Sequence, residues 1–538
     1  MCSGRRIVHL DQQLTAWRRA REPHNFTLLT PIPNPHFDEN KAAYSPVFYT
    51  RDMNVLPDLR ASDPWSKNTQ SVSFPVLESA TGKRSFSIAV TALLLFAINF
   101  ALHWPGELTP DSTVQYAQAI SGHFNDWHPP IMAYTWSLLR YIADGPQPML
   151  AFQLIFHWLG FAMLADGLSR TGRTKAGWLM LATGAFPLFF YFNGYITKDV
   201  GLVSASIAGF GLIFWYRIQG RRPPPAIVIA ALVLIAYGAL VRHNAVFAFA
   251  PLLLYAVVDP ARIGARRLII LVCVLSIVAI PVSSIVNRHL FRATPSGAIL
   301  SLQLIDVVGI ARHSGDLSVL PSVLHLSTSD VEHCYRPYDT MDRLLEFGPC
   351  KFISERLVAS TSAAERTTMW LVAIISHPVA YAQHRLKIFN SMMYFFVPAK
   401  HCRFSDSCMK LSPQEIRLDY IKRNILVWPA SWIVLGVCMV AAGLGLSSAS
   451  APLSACRTLL VSGLGYSFAY LIVGVAADVR YHYWSIVAIL TAFIVAFPLL
   501  VSRVRTMDRT VMVCFVLLTL TWGAGFFARL ADIQVLMF

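Results

Sequence analysis

Charge is what this chain has least of. Only 14% of its 538 residues are Asp, Glu, Lys or Arg, where a soluble domain carries roughly 25%. With 55% hydrophobic residues and a mean hydropathy of +0.49, that shortage excludes a soluble enzyme. Its charges cluster between apolar runs, as in a membrane protein. Also missing is any basic patch interleaved with aromatics, so no nucleic-acid partner is expected despite a formal net charge of +15. Residues 1–84 contain no apolar run of signal-peptide length. They are polar, rich in Pro and Asn, and read as a disordered cytoplasmic extension, with Met53 as a later candidate start.

What is present is a series of apolar runs, near 86–104, 148–167, 177–193, 199–216, 225–241, 244–258, 268–286, 425–446, 458–477, 483–501 and 511–528. In lipid each must be helical, because no water is there to satisfy its backbone. The expected fold is an all-α polytopic membrane protein with about eleven transmembrane helices. Its parts are the polar extension (1–84), an N-terminal transmembrane module (85–286), a large extracytoplasmic region (287–424) and C-terminal transmembrane helices (425–538).

Loop charge sets the orientation. Lys83 and Arg84 precede the first run and place the N-terminus in the cytoplasm. The loops on that side hold Arg170, Arg173, Lys175, Arg217, Arg221, Arg222, Arg262, Arg266, Arg267, Arg457, Arg503, Arg505 and Arg509, thirteen basic residues in all. The opposite short loops hold four: Arg140, Lys198, Arg242 and Arg480. The alternation holds only if 131–144 does not cross, so IMAYTWSLLRYIAD is read as a helix lying along the outer face. In the segment 366–396, His377, His384, Arg385 and Lys387 interrupt the apolar residues. It is read as two amphipathic pieces hinged at Pro378. The expected location is the inner (cytoplasmic) membrane, with the working face periplasmic and membrane lipids all around. Four of the nine cysteines, Cys334, Cys350, Cys402 and Cys408, fall in the outer region. An oxidising compartment allows Cys334–Cys350 and Cys402–Cys408 disulfides; other pairings and free thiols stay open.

The first outer loop, HWPGELTPDSTVQYAQAISGHFNDWHPP, carries Glu107, Asp111 and Asp126 and no Lys or Arg. A solvated acidic face fits that pattern, and so does a catalytic pocket in which a carboxylate accepts a proton from an attacking hydroxyl. His123 and His128 add donors at a spacing that matches no strong metal motif. A divalent metal ion is the single cofactor candidate, and its ligands stay unknown. The other outer loops supply cations at helix ends: Lys198 beside Asp199; Arg242, His243 and Asn244; and Arg480 with Asp478, Tyr481, His482 and Tyr483. Snorkelling to head groups explains any one of them. A convergent site for a lipid-linked phosphate explains the set.

The acidic first loop, the His128-Pro129-Pro130 exit, the Lys198–Asp199 pair and the Arg480–Tyr481 pair resemble the GT-C superfamily of integral-membrane glycosyltransferases. That superfamily includes the protein O-mannosyltransferases and the aminoarabinose transferases of lipid A. The resemblance covers roughly 85–505, mostly as topology. It implies a GT-C-like bundle with outer-face amphipathic helices, a polyprenyl-phosphate-linked sugar donor, and a lipid, glycan or protein acceptor. It also implies an inverting transfer on the outer face. Asp111, placed at a helix start by Pro110, would be the general base, with Asp126 and Glu107 as second choices. Lys198, Arg242 and Arg480 would hold the departing phosphate, with His243 and Tyr481 as supporting donors. The chain departs from that pattern in having no adjacent acid pair in the first loop and no carbohydrate-binding module in the long outer region. An O-antigen polymerase or ligase would concentrate its chemistry in 287–424. A transporter would show inverted repeats and midplane charges, and His157 and Pro187 are the main polar or breaking positions.

Overall fold

The computed structural model describes residues 75–258, 263–336, 344–345, 348–397, 424–444 and 450–531. Cys402 and Cys408 lie outside them. The described residues are all-α apart from one pair of two-residue strands. Among the described residues seven helices are long and apolar enough to cross a membrane, the pattern of a multi-pass membrane protein. They are α1 (Pro75–His103), α4 (Gln147–Arg170), α7 (Lys198–Ile218), α10 (Ala265–Ile285, continued by a π turn over Val286–Leu290), α17 (Ala451–Val473), α18 (Tyr483–Arg505) and α19 (Arg509–Leu530).

The remaining four apolar runs differ from the expected full spans. Three form shorter helices: α8 (Pro225–Leu240), α9 (Val246–Val257) and α16 (Pro429–Ala441). The run at 177–193 breaks into α5 (Thr174–Gly184) and α6 (Pro187–Phe192). Its physical reason is Pro187, which has no N–H to continue the helix and drives Phe186 into an extended conformation, φ −53° and ψ 133°.

Burial divides the helices into a centre and a rim. The α7 span is 83% buried, whereas those of α1, α10 and α19 are 17%, 11% and 11% buried. Small residues set the approach of α7 to α4. A side chain on Gly160 would meet the Ile207 carbonyl carbon at 2.7 Å, so the two backbones touch directly.

The strands β1 (Glu107–Leu108) and β2 (Tyr195–Ile196) pair in parallel, Glu107 opposite Tyr195 and Leu108 opposite Ile196. Each leads through a threonine into a helix. Thr109 caps α2 (Pro110–Ser121), with Ser112 completing a capping box, and Thr197 caps α7. The segment 131–144 opens with α3 (Ile131–Leu139), which at nine residues is too short to cross.

The region after the π turn holds α11 (Ile299–Ser314), α12 (Thr328–Cys334), α13 (Lys351–Ser360), α14 (Ala363–Ser376) and α15 (Pro378–Met393). The last two are separate helices broken at His377 and Pro378, where the sequence places its hinge. Cys334 and Cys350 form a disulfide, with Cα atoms 5.8 Å apart.

Candidate functional site

The β1–β2 register determines which side chains meet. Two parallel strands, each followed at once by a capped helix, bring the first turn of α2 beside the first turn of α7. Asp111 stands in one turn and Lys198 in the other. Lys198 Nζ lies 3.4 Å from Asp111 Oδ2. The same ammonium donates to His128 Nδ1 at 2.8 Å. With Nδ1 accepting, a neutral His128 carries its proton on Nε2, which lies 4.0 Å from Asp111 Oδ1.

Two further loops close the group. Arg480, on the 3-10 turn Val479–His482 that leads into α18, places one guanidinium nitrogen 3.6 Å from Asp111 Oδ2. Its Nε pairs with Asp478 at 2.9 Å and lies 4.0 Å from Asp199 Oδ2. Arg242, between α8 and α9, is buried and forms an ion pair with buried Asp199. Its guanidinium lies 4.5 Å from the centroid of the Tyr481 ring, which stacks on Tyr470 at 5.5 Å and 3°.

These groups surround a cavity of about 490 Å³. Asp111, His128, Lys198, Arg242, His243, Arg480 and Tyr481 line it. So do Val246, Phe247, Ile280, Ile299, Leu302 and Val473. The lining thus holds both cationic and apolar side chains. Burial raises the Asp111 pKa, but Lys198, Arg480 and His128 outweigh it and hold the carboxyl well below the usual range. Burial and the Lys198 charge push the His128 imidazole down to about 3, so it is neutral at ordinary pH.

The other two acids stand elsewhere. Asp126 does not line the cavity; its Oδ1 accepts from the Ser296 N–H at 2.5 Å and from Ser296 Oγ at 2.6 Å. It ties the first loop to the segment before α11. His243 Nε2 meets the Asp126 backbone carbonyl at 3.0 Å. Glu107 sits in β1 opposite Tyr195, also away from the cavity lining. His123 is exposed and contacts its own turn at Ser121.

A divalent metal ion does not suit this donor set. Among the described residues no three His, Cys, Asp or Glu side chains could hold one. Asp111 is already flanked by two cations. Sequence reasoning missed the apolar lining, the Tyr470 stack and the Asp199–Arg242 pair. An aspartate directly after Lys198 was the available signal for the last of these. No family model, no curated protein and no solved structure matches the chain.

Proposed function

We propose that this chain is a membrane glycosyltransferase that moves a sugar from a polyprenyl-phosphate donor to an acceptor hydroxyl at the outer face. The observation that carries the reading is one cavity in which a carboxylate shares two cations, Lys198 and Arg480, within a partly apolar lining. The prenyl chain would lie along Ile280, Ile299 and Leu302, and the phosphate would meet Lys198, Arg242 and Arg480.

The chemistry follows from that sharing. The acceptor oxygen attacks the sugar's anomeric carbon, and the bond from that carbon to the phosphate oxygen breaks. The electron pair leaves on the phosphate, which gains one negative charge. The acceptor's proton passes to Asp111, which loses one. As Asp111 becomes neutral, Lys198 and Arg480 are released toward the phosphate at the moment it needs them. The cations that keep Asp111 ionised in the resting protein are thus the ones that stabilise the leaving group.

The test is the lipid-linked glycan profile of a deletion strain, complemented with wild-type or Asp111→Asn protein. Loss of one glycan species, restored only by the wild type, is the expected result. An unchanged profile, or full restoration by Asp111→Asn, overturns the reading.

A further inference from the structure

Apart from the groups named above lies a second set of buried charges. Asp306 on α11 is fully buried, as is His384 on α15, and Arg385 is 3% exposed. Asp306 forms an ion pair with Arg385 through Oδ1. His384 Nε2 meets the same oxygen at 3.0 Å, and Trp370 Nε1 donates to Oδ2 at 2.7 Å. The Tyr335 hydroxyl, next to disulfide-bonded Cys334, faces His384 Nδ1 at 3.1 Å. A buried ion pair this heavily hydrogen-bonded is costly to assemble, and an apolar pair would serve packing equally well.

Arg385 has a second partner. Its Nη1 donates to the backbone carbonyl of Gly474 at 2.8 Å. Gly474 ends α17 and begins the loop that carries Asp478, Arg480 and Tyr481. A side chain there would meet the Tyr470 carbonyl at 2.5 Å and Met392 Sδ at 2.6 Å, so the loop is drawn tightly against α15 and α17. Three residues further on, the Tyr394 hydroxyl donates to the Ala477 carbonyl at 3.4 Å. The two ends of the link open onto the same cavity. Ser301 and Leu302, one turn before Asp306 on α11, line it, and so do Val475 and Ala476, directly after Gly474.

We infer that the Asp306–Arg385–Gly474 link is a strut that fixes the spacing between two segments that line the cavity, α11 and the loop after Gly474, and that Arg385 is a positioning residue for Arg480 and Tyr481. Arg385 touches neither donor nor acceptor; it acts by holding the loop. The inference rests on the reading of the cavity as a donor phosphate site. It gives the outer helices a definite part in that site: α11 and α15 set how far the phosphate-binding loop stands from the apolar lining. A guanidinium suits this role because it can bind a carboxylate and a carbonyl together in fixed geometry, which an ammonium cannot.

The test uses full-length protein in lipid nanodiscs, with undecaprenyl phosphate as the probe. Arg385→Lys keeps a cation opposite Asp306 and gives up the fork. A second variant, Asp306→Asn with Arg385→Gln, removes both charges and leaves no buried ion unpaired. Two measurements are made on each: undecaprenyl phosphate affinity, and amide hydrogen exchange across 474–481 with α7 as internal reference. In both variants, exchange in 474–481 rises about tenfold while α7 is unchanged, the scale of one lost charge-assisted hydrogen bond. Affinity for undecaprenyl phosphate falls by a similar factor, about tenfold. In transfer assays the donor KM rises while kcat stays within about threefold, because Asp111 is untouched. Wild-type exchange in 474–481 in a folded variant overturns the strut. Looser exchange with unchanged affinity overturns the positioning role. If the wild-type protein does not bind undecaprenyl phosphate, the donor reading falls, and the exchange data alone decide whether the strut exists.

Discussion

Asp111 and Lys198 come within 3.4 Å of each other, Oδ2 to Nζ, and the ammonium reaches His128 on its other side. An ion pair inside a cavity is a resting arrangement that a ligand can rearrange. Replacing Asp111 by Asn keeps the shape and removes the proton acceptor. Transfer then falls by at least about a hundredfold. Prenyl-phosphate binding is no weaker than in the wild type, because Lys198 and Arg480 lose a competing anion. Single-turnover rates and equilibrium binding on the same preparation check this pair of outcomes. Near-normal transfer, or lost binding in folded protein, sinks the assignment of Asp111.

The cations give the opposite phenotype. Lys198→Ala and Arg480→Ala each remove a charge-assisted contact and weaken prenyl-phosphate binding by about tenfold or more. Arg480→Lys recovers only part of that, since a point charge cannot serve Asp478 and a phosphate together. Titration of the purified variants with undecaprenyl phosphate measures it; full recovery in Arg480→Lys counts against a forked contact.

His128 makes a prediction in pH. Its folded pKa lies at about 3, below the ordinary 6.5, because burial and Lys198 oppose a second proton. Between those values the unfolded chain takes up a proton that the folded chain refuses. The stability contributed by this group is therefore complete above about pH 6.5 and is lost progressively as the pH falls toward about 3. Thermal midpoints of detergent-solubilised protein should drop between about pH 7 and about pH 4, and His128→Gln should flatten part of that drop. Identical slopes in the two proteins would show that the imidazole does not carry it.

The Cys334–Cys350 disulfide is checked chemically. Mass spectrometry without reduction should recover the two cysteines as one linked species and find Cys273, Cys438, Cys456 and Cys514 as free thiols. The bond closes a loop of sequence separation 16, for which chain entropy predicts a stabilisation of about 3 kcal/mol. Replacing both cysteines by Ser should lower the thermal midpoint accordingly. Free thiols at both positions in protein taken from intact cells would remove the disulfide and, with it, its support for an oxidising side.

Much of the helical layout was legible in the sequence, because charge is scarce here and each charged residue at the end of an apolar run stands out. Lys198, Arg242 and Arg480 were visible for that reason, and the structure draws them round one cavity with Asp111. The break at Pro187 was less visible, because one proline in a long apolar run reads equally as a kink. Among the three acids the sequence ranked Asp111 first, from Pro110 and the helix start, but not what each one contacts. Glu107, Asp111 and Asp126 share one loop, and only the pairing of β1 with β2 aims Asp111 at Lys198 while Asp126 turns to Ser296. Two-residue strands leave no period to detect. The Asp306–Arg385 pair was hidden in a similar way. Its members sit on separate amphipathic helices, and each alone looks like a residue interrupting an apolar run.

The parallel sense of β1 and β2 also orders the birth of the site. Parallel strands cannot be joined by a hairpin; here the crossover runs from α2 through α6 and includes the full span α4. A nascent chain therefore exposes Asp111 well before Lys198 leaves the ribosome, and Arg480 emerges later still. Each must be delivered to the same side of the bilayer by a separate insertion event. During translation the Asp111 carboxylate waits first for Lys198 and then for Arg480, so the cavity is complete only when the loop that leads into α18 is in place.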